Sequence, residues 1–259
     1  YYILGFLCSK YAHQILDLLN PTMSFQPGDI ASVPIKLSND KTIIEEIVKN
    51  NIDIEKGEWD SFETSWDFKK NPIINKGLIK DNINQYISSE KEKRNILKLN
   101  EERLNMLFNE IYNMSHEIDN KLDEKDITYR VETKENYVKN LISYFVGCAF
   151  GRYSLDKDGL MFAGGTFDES NYITFKVDND NINPITDESY FSDDIVERFK
   201  TFIKTVYGDN TFNENIDFIA EALGKKGTET SEETIRRYFV NDFFNDHVKM
   251  YQKRPIYWL

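Results

Sequence analysis

The sequence predicts a mainly helical protein of the α+β class, in which a long spacer helix packs in a helical bundle and a small β insertion interrupts the helices. Three observations support this class. Apolar residues recur at helical spacing over most of the 259 residues, a stripe with seven-residue steps crosses the middle, and strand-like runs are confined to one acidic segment. On this basis we divide the chain into residues 1–36, 37–140, 141–192 and 193–259.

The first region combines a helix with a short strand. Apolar residues at helical spacing over residues 3–19 predict one amphipathic helix, which ends before Pro21. A Pro-Gly pair at 27–28 predicts a turn, and residues 31–35 then predict a short strand. Because the proline in this run lacks the N–H that a central strand needs, we expect the strand at an edge.

The second region carries the strongest periodic signal. Residues 40–50 predict a helix that starts at Asp40. An apolar stripe over residues 83–122 then predicts one helix of about 40 residues, which is about 60 Å long at ~1.5 Å per residue. Because a lone helix cannot bury such a stripe, we expect residues 40–50 or 135–150 to cover it. Four members of the stripe stand at strict seven-residue steps: Leu97, Leu104, Ile111 and Ile118.

The third region predicts a buried helix over residues 135–151, followed by the β insertion. Gly147 and Gly151 are both in this segment, and we expect them to let one helix face approach another backbone closely. Strand-like runs at 160–163 and 172–177 predict the strands of the insertion. The fourth region returns to helical spacing in three segments: residues 194–207, 213–223 and 231–249.

The composition predicts a globular protein with an acidic surface. Apolar residues make up 40% of the chain and aromatic residues 14%, which is enough for a sizeable core. The net charge of −12 argues against a general nucleic-acid coat, because phosphate contacts require concentrated lysine and arginine. The acidity is sharpest in residues 141–192, which hold three basic and eight acidic residues. A local basic face elsewhere in the chain is compatible with this distribution.

The sequence also predicts the cellular setting. Cys8 and Cys148 stand in apolar, helix-like stretches, so we expect two small buried side chains rather than a disulfide, as in a reducing cytoplasm. No apolar stretch reaches the roughly 18 residues of a membrane span, and no signal-peptide pattern opens the chain. We therefore predict a cytoplasmic protein without a membrane partner. Because both ends lie in apolar runs, we also expect a piece of a longer protein.

No residue pattern predicts a catalytic or metal site. The three histidines stand far apart in the sequence. Asp242, Asp246 and His247 fall near one helical turn and could hold a divalent ion, but a solvated helix face is the favoured interpretation. No Ser/His/Asp or Cys/His signature stands out, so we assign no catalytic, metal-binding or cofactor-binding residue.

Cationic residues are the candidates for phosphate contacts. Between Phe68 and Lys80 the chain holds four lysines and no acid, which makes this its most cationic window. The alternatives are a solvated loop for the lysines, a helix C-cap for Arg152 and helix-surface charge for Arg236. The predicted DNA-binding residues are Lys69, Lys70, Lys76, Lys80, Arg152, Arg236 and Arg254.

An aromatic-rich segment precedes the lysines. Residues 58–68 have no clean period, and Trp59, Trp66 and Phe68 could stack on a nucleic-acid base. Core packing beneath the long helix is the favoured interpretation, so these residues are left out of the predicted contacts.

Several segments carry a family resemblance. Residues 2–10 (YILGFLCSK) and 28–35 (GDIASVPI) are similar to the end of the target-recognition domain in adenine methyltransferases with fused specificity regions and in type I specificity subunits. Residues 59–68 are similar to a stretch that follows this domain in bacterial methyltransferases. Residues 142–156 (ISYFVGCAFGRYSLD), 236–239 (RRYF) and 251–259 (YQKRPIYWL) resemble the PglX family, the adenine-specific DNA methyltransferases of BREX phage-defence systems.

The resemblance implies a role for each region. Residues 1–36 correspond to the end of a target-recognition domain, and residues 37–140 to a helical spacer with a coiled-coil-like helix. Residues 141–192 correspond to a helix with an acidic insertion, and residues 193–259 to a truncated C-terminal helical region. For the intact protein the resemblance implies N6-adenine methylation of a non-palindromic site, with S-adenosylmethionine as cofactor. Double-stranded DNA and the other proteins of a defence complex are the implied partners.

The catalytic signatures of such an enzyme are not found in this sequence. An adenine methyltransferase needs an Asn/Asp-Pro-Pro-aromatic motif to hold the target base, and none of the Asn-Pro pairs at 20–21, 71–72 and 183–184 continues in that way. The Gly164-Gly165 pair lies between strand-like runs, which favours a hairpin turn over a cofactor loop. We therefore expect this chain alone to bind no S-adenosylmethionine and to have no catalytic activity.

Two functional hypotheses follow. In the first, the chain is a DNA-recognition and spacer module, and its predicted cationic contacts gather on one concave face. In the second, it is a protein-interaction scaffold without DNA affinity, and the acidic residues 156–194 meet a basic partner in the defence complex. We favour the first for residues 1–140 and leave both open for residues 141–259.

Overall fold

The computed structural model describes residues 1–22 and 24–257, which form ten α-helices, a few short 3-10 turns and no β-strand. Trp258 and Leu259, which belong to the family-like segment 251–259, lie outside the described residues. The predicted α+β class is therefore wrong, and the described chain is a helical bundle. The helices are α1 Tyr2–Leu7, α2 Lys10–Leu19, α3 Pro27–Ser32, α4 Lys41–Trp59, α5 Ile79–Ile111, α6 Lys134–Ala149, α7 Ile195–Tyr207, α8 Phe212–Ala222, α9 Ser231–Asn241 and α10 Phe243–Met250.

The chain divides into two compact units. The first unit comprises residues 1–58 and 89–130, and the second comprises residues 59–88 and 131–259. Helix α5 therefore contributes its first residues to the second unit and the remainder to the first.

The core of the first unit is built on the apolar stripe of α5. Leu104 and Phe108 from this stripe are buried with Ile44 and Val48 of α4, so α4 covers this part of the stripe. Gly5 in α1 permits a close approach to α4, because a Cβ built at this position lies only 2.7 Å from Val48 Cγ2. The buried aromatic residues of the cluster are Tyr2, Phe6, Tyr11 and Phe108.

A local cap divides the predicted helix over residues 3–19 into α1 and α2. The Ser9 hydroxyl donates to the Phe6 carbonyl oxygen at 2.6 Å and accepts from the Ala12 N–H at 3.3 Å. Ser9 thus acts as the N-cap of α2 with extended backbone angles, which an uninterrupted helix does not allow. The apolar period continues across this break, and for this reason periodicity alone predicts one helix.

The predicted edge strand at residues 31–35 is wrong, since residues 27–32 form α3. Pro27 stands at the start of the helix, where its missing N–H costs nothing. The Asp29 carboxylate accepts from the Gln26 N–H at 2.9 Å and completes the cap. The Pro-Gly pair that was expected to form a turn therefore begins a helix.

Helix α5 is 33 residues long and ends before the predicted limit. Asn113 adopts the left-handed conformation with φ of 60°, and the Met114 N–H donates to the Asn109 carbonyl oxygen at 2.7 Å. The chain then reverses, and Asn109 Nδ2 donates to the Ile118 carbonyl oxygen at 3.0 Å. Ile118 is buried in the first unit although it lies outside the helix.

Helix α6 forms the centre of the second unit. Every residue from Leu141 to Ala149 is buried, as expected for a helix that other elements surround on all sides. The Phe145 ring lies 5.0 Å from Phe199 of α7 and 6.3 Å from Phe239 of α9, measured between centroids. Gly147 accommodates the Tyr153 ring, which lies 2.5 Å from a Cβ built there, so it packs against a side chain and not against the second backbone that was expected. Gly151 lies beyond the end of α6, in a turn with φ of 76°.

The predicted β insertion is a folded loop between α6 and α7. The Asp156 carboxylate accepts from the backbone N–H groups of Ile173 and Thr174 at 2.7 and 2.9 Å, so these donors are not available for a strand ladder. Tyr172 and Phe175 are buried, whereas Ile173 and Thr174 between them are exposed, a three-residue spacing that does not follow the strand-like alternation of the sequence.

The two cysteines differ in their surroundings. Cys148 is buried in α6, as predicted, but Cys8 is exposed at the break after α1, and both thiols are free. Burial raises the pKa of the Cys148 thiol well above its ordinary value. Over residues 1–22 and 24–257, none of the helices combines the length and the apolar character that a membrane crossing requires.

Candidate nucleic-acid interface

The candidate site is a cleft of about 570 Å³ in the second unit, formed by residues 63–68, 152–163 and 250–256. Aromatic and cationic residues contribute to its lining, and among the residues that the structure describes Glu63 is the only acidic one in it. We call it the arginine cleft, because Arg152 and Arg254 both line it. In a chain with a net charge of −12, an acid-poor concave surface with two arginines is a distinct local environment.

Arg152 reaches the cleft from the turn that ends α6. Its backbone N–H donates to the Gly147 carbonyl oxygen at 2.8 Å, so the backbone of Arg152, not its side chain, closes the helix. Its side-chain Nε–H donates to the Tyr153 hydroxyl at 3.2 Å, and the guanidinium carbon lies 5.5 Å from the centroid of that ring. These contacts orient the guanidinium on the wall of the cleft.

Arg254 reaches the cleft from the turn after α10. Gln252 and Lys253 adopt left-handed backbone conformations, with φ of 50° and 65°, which costs about 1–3 kcal/mol per non-glycine residue. The Lys253 N–H donates to the Val248 carbonyl oxygen at 2.8 Å, and the Arg254 N–H to that of Tyr251 at 2.9 Å. This strained turn brings Gln252 and the exposed Arg254 to the cleft.

Glu63 lies in the wall of the cleft and is 7% exposed. Its Oε2 accepts from the Tyr251 hydroxyl at 3.3 Å, while its buried Oε1 has no hydrogen-bond partner among the described residues. Burial raises the pKa of Glu63 to about 7, and the Tyr251 hydroxyl and the charge of Arg152 oppose this shift. Glu63 therefore changes its protonation state near neutral pH.

His247 of α10 binds the chain segment that follows Arg254. Its Nε2 accepts from the backbone N–H groups of Ile256 and Tyr257 at 2.9 and 3.1 Å, so the segment after Arg254 folds back onto the helix. Burial, with a smaller contribution from the Arg152 charge, lowers the pKa of His247 to about 4. His247 is therefore neutral at physiological pH and serves as an acceptor for the backbone.

Phe68 and Trp66 of the aromatic segment both line the cleft but differ in exposure. Phe68 is buried, and its ring contacts Tyr144 and Tyr153 edge to face at centroid distances of 6.0 and 5.2 Å. Trp66, in contrast, is fully exposed at 102% and lines the cleft. The expected core packing is confirmed for Phe68 and is wrong for Trp66 and for Trp59, which is 60% exposed.

The four predicted lysines do not line the arginine cleft. Lys69 follows Phe68 directly, and its carbonyl oxygen accepts from the Gly159 N–H at 2.7 Å. Lys69, Lys76 and Lys80 are exposed and Lys70 is half-buried. Lys76 and Lys80 stand near the start of α5, where Asn215 of α8 accepts from the Ile79 N–H at 2.8 Å.

Arg236, the remaining predicted contact, is buried in a different part of the second unit. Its guanidinium donates to both carboxylate oxygens of Asp194 at 2.7 and 2.9 Å and to the Thr186 carbonyl oxygen at 3.0 Å. Asp194 is fully buried and also accepts from the Val196 N–H at 2.9 Å, as the N-cap of α7. This ion pair connects α9 to the start of α7.

The acidic groups of α10 have structural partners. Asp246 pairs with Lys139 of α6 at 3.0 Å and accepts from the Tyr238 hydroxyl at 3.2 Å. In the part of the chain that the structure describes, no group of three or more His, Cys, Asp or Glu side chains is arranged to hold a metal ion. The arginine cleft thus offers cations, flat rings and one carboxyl group, a set suited to noncovalent recognition.

Sequence reasoning found two residues of this cleft and missed two others. Arg152 and Arg254 were predicted, whereas Glu63 and the exposure of Trp66 were not. An available signal was the position of Glu63 between Phe62 and Trp66, since an acidic residue inside an aromatic-rich segment is a candidate for a buried carboxyl group.

Comparison with known proteins identifies the class of protein to which the chain is related. Along its whole length, the chain is homologous to part of adenine-specific methyltransferases. It is 39% identical over 267 residues, covering 99% of the chain, to the adenine-specific methyltransferase PglX of Lacticaseibacillus casei (strain Zhang). It is 37% identical over 294 residues, covering the full chain, to the adenine-specific methyltransferase BrxX of Escherichia coli O9:H4 (strain HS). These matches confirm the predicted resemblance to the PglX family.

The matches cover the relatives only in part. The chain spans 22% of the length of PglX and 24% of the length of BrxX. No model of a known protein family matches the chain.

Proposed function

We propose that this chain is a DNA-recognition and spacer part of a site-specific, adenine-specific DNA methyltransferase that acts in bacterial phage defence. The observation that carries the proposal is the homology of the whole chain to PglX and BrxX. In this proposal the intact protein acts in the cytoplasm, uses S-adenosylmethionine and transfers a methyl group to adenine N6. Its substrate is double-stranded DNA, and its partners are the other proteins of the defence complex.

The arginine cleft supports a DNA-binding role for this part. Arg152 and Arg254 line it together, and no exposed acidic residue within the described part of the chain shares the lining. Cations that neutralise phosphates release counterions from DNA, so binding at such a surface weakens steeply with salt. Arg236 is not assigned to DNA here, because its guanidinium is committed to Asp194.

The spacer role rests on α5. This helix is 33 residues long, about 50 Å at ~1.5 Å per residue, and a rigid element of this length is suited to separating recognition elements. Residues 1–36, at the start of the chain, are proposed as the end of the target-recognition domain. Lys69, Lys70, Lys76 and Lys80 remain proposed phosphate contacts outside the cleft.

Duplex binding by the 259-residue chain tests the proposal. Fluorescence anisotropy of a labelled duplex at several salt concentrations should show binding that weakens steeply as salt rises. Arg254→Ala, and separately the double variant of Lys69 and Lys70 to alanine, should weaken binding. Lys226→Ala removes an exposed cation that does not line the cleft and serves as the matched control.

Two outcomes would contradict the proposal. One is the absence of duplex binding at low salt, which would place recognition elsewhere in the intact protein. The other is equal affinity in Arg254→Ala, the lysine double variant and Lys226→Ala, because a contact that depends only on overall charge cannot distinguish these positions.

A second candidate function is a protein-interaction scaffold, and the loop between α6 and α7 favours it. This acidic loop exposes several large apolar side chains that a solvated loop does not need. They are Leu160, Phe167, Ile173, Ile182, Tyr190 and Phe191, with exposed fractions between 44% and 75%.

Surface substitutions test the scaffold function better than removal of the loop. Tyr172 and Phe175 of the loop are buried in the core, so a deletion would disturb the fold. Ile173→Ser combined with Ile182→Ser alters only exposed positions, and it should reduce co-purification of the intact methyltransferase with the other defence proteins. Unchanged assembly of this variant would reject the scaffold function.

A further inference from the structure

Three features of the arginine cleft together restrict the kind of ligand that it can bind. It has two guanidinium groups for an anion, an exposed indole for a flat ring, and a buried carboxyl oxygen that needs a hydrogen-bond donor. A purely anionic ligand leaves the carboxyl oxygen unsatisfied, and a cationic one is repelled by the arginines. A nucleotide unit, in contrast, carries a phosphate, a flat ring and, in three of the four bases, an exocyclic amino group.

We propose that the arginine cleft holds a single unstacked nucleobase with an exocyclic amino group, an inference that rests on the proposed DNA-binding function. The amino group donates to Glu63 Oε1, the base stacks on Trp66, and the flanking phosphates contact Arg152 and Arg254. Adenine, cytosine and guanine fit this chemistry, whereas thymine lacks the amino group.

The first supporting feature is the unpaired carboxyl oxygen of Glu63. Glu63 Oε1 is buried and has no partner among the described residues, while Oε2 is held by the Tyr251 hydroxyl at 3.3 Å. A buried acceptor without a donor is costly, so a ligand that supplies an N–H there gains affinity. Acidic side chains accept in this way from the amino group of cytosine in duplex recognition.

The second supporting feature is the exposed indole of Trp66. Trp66 is fully exposed although it belongs to a segment whose neighbours Ser65 and Phe68 are buried. The Ser65 hydroxyl donates to Asp60 Oδ1 at 2.6 Å and accepts from the Asp67 N–H at 3.1 Å, which fixes the backbone on both sides of the indole. An uncovered indole on a fixed backbone, in the same cleft as two arginines, is the kind of platform on which single-stranded nucleic acids stack.

The size of the cleft is consistent with this occupant. A volume of about 570 Å³ lies within the range of small-molecule sites and accommodates one base with its sugar. The strained turn at Gln252 and Lys253 brings Arg254 to the same opening.

A set of duplexes that differ at one position tests the inference. The labelled duplexes are fully paired, contain one unpaired adenine, or contain one unpaired thymine in the same context. The 259-residue chain should bind the adenine-bulged duplex about tenfold more tightly than the thymine-bulged one, the magnitude expected for one specific base contact. Equal affinity for the two bulged duplexes would overturn the inference.

Two variants assign the preference to the cleft. Glu63→Leu removes the acceptor and should abolish the difference between adenine and thymine. Trp66→Ala should weaken binding of both bulged duplexes about tenfold and leave the paired duplex unaffected, since stacking requires an unstacked base. Trp59→Ala, at an exposed tryptophan that does not line the cleft, is the control.

The outcomes separate this inference from the proposed function. If the chain binds paired and bulged duplexes equally, with normal salt dependence, the base site is wrong and the DNA-binding function stands. If it binds no duplex at low salt, both fail. Because Trp66 is fully exposed, its alanine variant keeps the inference testable even if Glu63→Leu does not fold; unchanged affinity of Trp66→Ala for the bulged duplexes would overturn it.

Discussion

At the residue scale, the protonation of Glu63 makes the stability of the folded chain depend on pH. Its pKa of about 7 in the folded chain lies above the ordinary glutamate value of 4.5, so the folded state holds the proton more strongly. The stability that results is fully present below pH 4.5 and is lost as pH rises through 7. The lowered pKa of His247 acts in the opposite direction, because it favours the folded state as pH rises from about 4 to 6.5.

Glu63→Gln should therefore reduce the loss of stability on going to alkaline pH. Its free energy of unfolding relative to the wild type should increase by up to about 3 kcal/mol between pH 4 and pH 8. Urea denaturation at a series of pH values measures this difference, to which His247 contributes equally in both proteins. Exposed Glu214→Gln is the control, and an identical pH profile for Glu63→Gln and wild type would refute the shift.

Arg236 and Arg254 represent two different uses of arginine. Removing Arg236 leaves the fully buried Asp194 carboxylate without its partner, so Arg236→Ala should lower the free energy of unfolding by about 3–5 kcal/mol. Arg254→Ala, at an exposed position, should change stability by less than about 0.5 kcal/mol. Chemical denaturation of both variants compares them, and similar stability would contradict a structural role for Arg236.

At the scale of elements, the apolar stripe of α5 distinguishes core positions from surface positions. Leu104 is buried in the first unit, so Leu104→Ala should cost about 2–5 kcal/mol. Leu99, on the same helix, is 56% exposed, and Leu99→Ala should cost less than about 0.5 kcal/mol. Thermal or urea unfolding measures both, and comparable losses would mean that the stripe does not set the packing of this unit.

Periodicity predicted the helices that bury one continuous face and failed where side chains compete for backbone groups. The predicted segment 194–207 corresponds closely to α7, and 213–223 to α8, because their apolar residues point to one core. The segment 231–249, in contrast, breaks at Asp242 into α9 and α10. Ser9 at the first break and Asp156 in the loop act through hydrogen bonds that a hydropathy pattern does not contain.

At the scale of the whole molecule, the charge distribution bears on the proposed DNA binding. The net charge of −12 opposes a nonspecific approach to phosphate, so the proposed binding requires a few suitably placed cations. If Arg254 contacts one phosphate, Arg254→Ala should reduce the slope of log affinity against log salt by about 0.9. Anisotropy titrations at four or more salt concentrations measure the slope, and an unchanged slope would exclude this contact.

The candidate site was only partly predictable, because it is formed by segments that are distant in the sequence. Arg152 follows a predicted helix and stands next to Tyr153, and Arg254 follows Lys253 in a short cationic segment, so local sequence context selects both. Their shared cleft with residues 63–68 depends on segments far apart in sequence, since Glu63 and Tyr251, which are hydrogen-bonded in its wall, are separated by 188 positions. A single sequence does not encode such proximity in any local pattern, and the lysines that local density favoured lie outside the cleft.

The exposure of Trp66 has a practical consequence for optical measurements. An indole in water emits at long wavelength and is quenched by collision with dissolved iodide or acrylamide. The chain contains three tryptophans, so replacing Trp59 and Trp258 with phenylalanine leaves Trp66 as the sole emitter. Any molecule that covers this ring then changes the emission and the accessibility to quenchers, which makes the unlabelled protein a reporter of its own cleft.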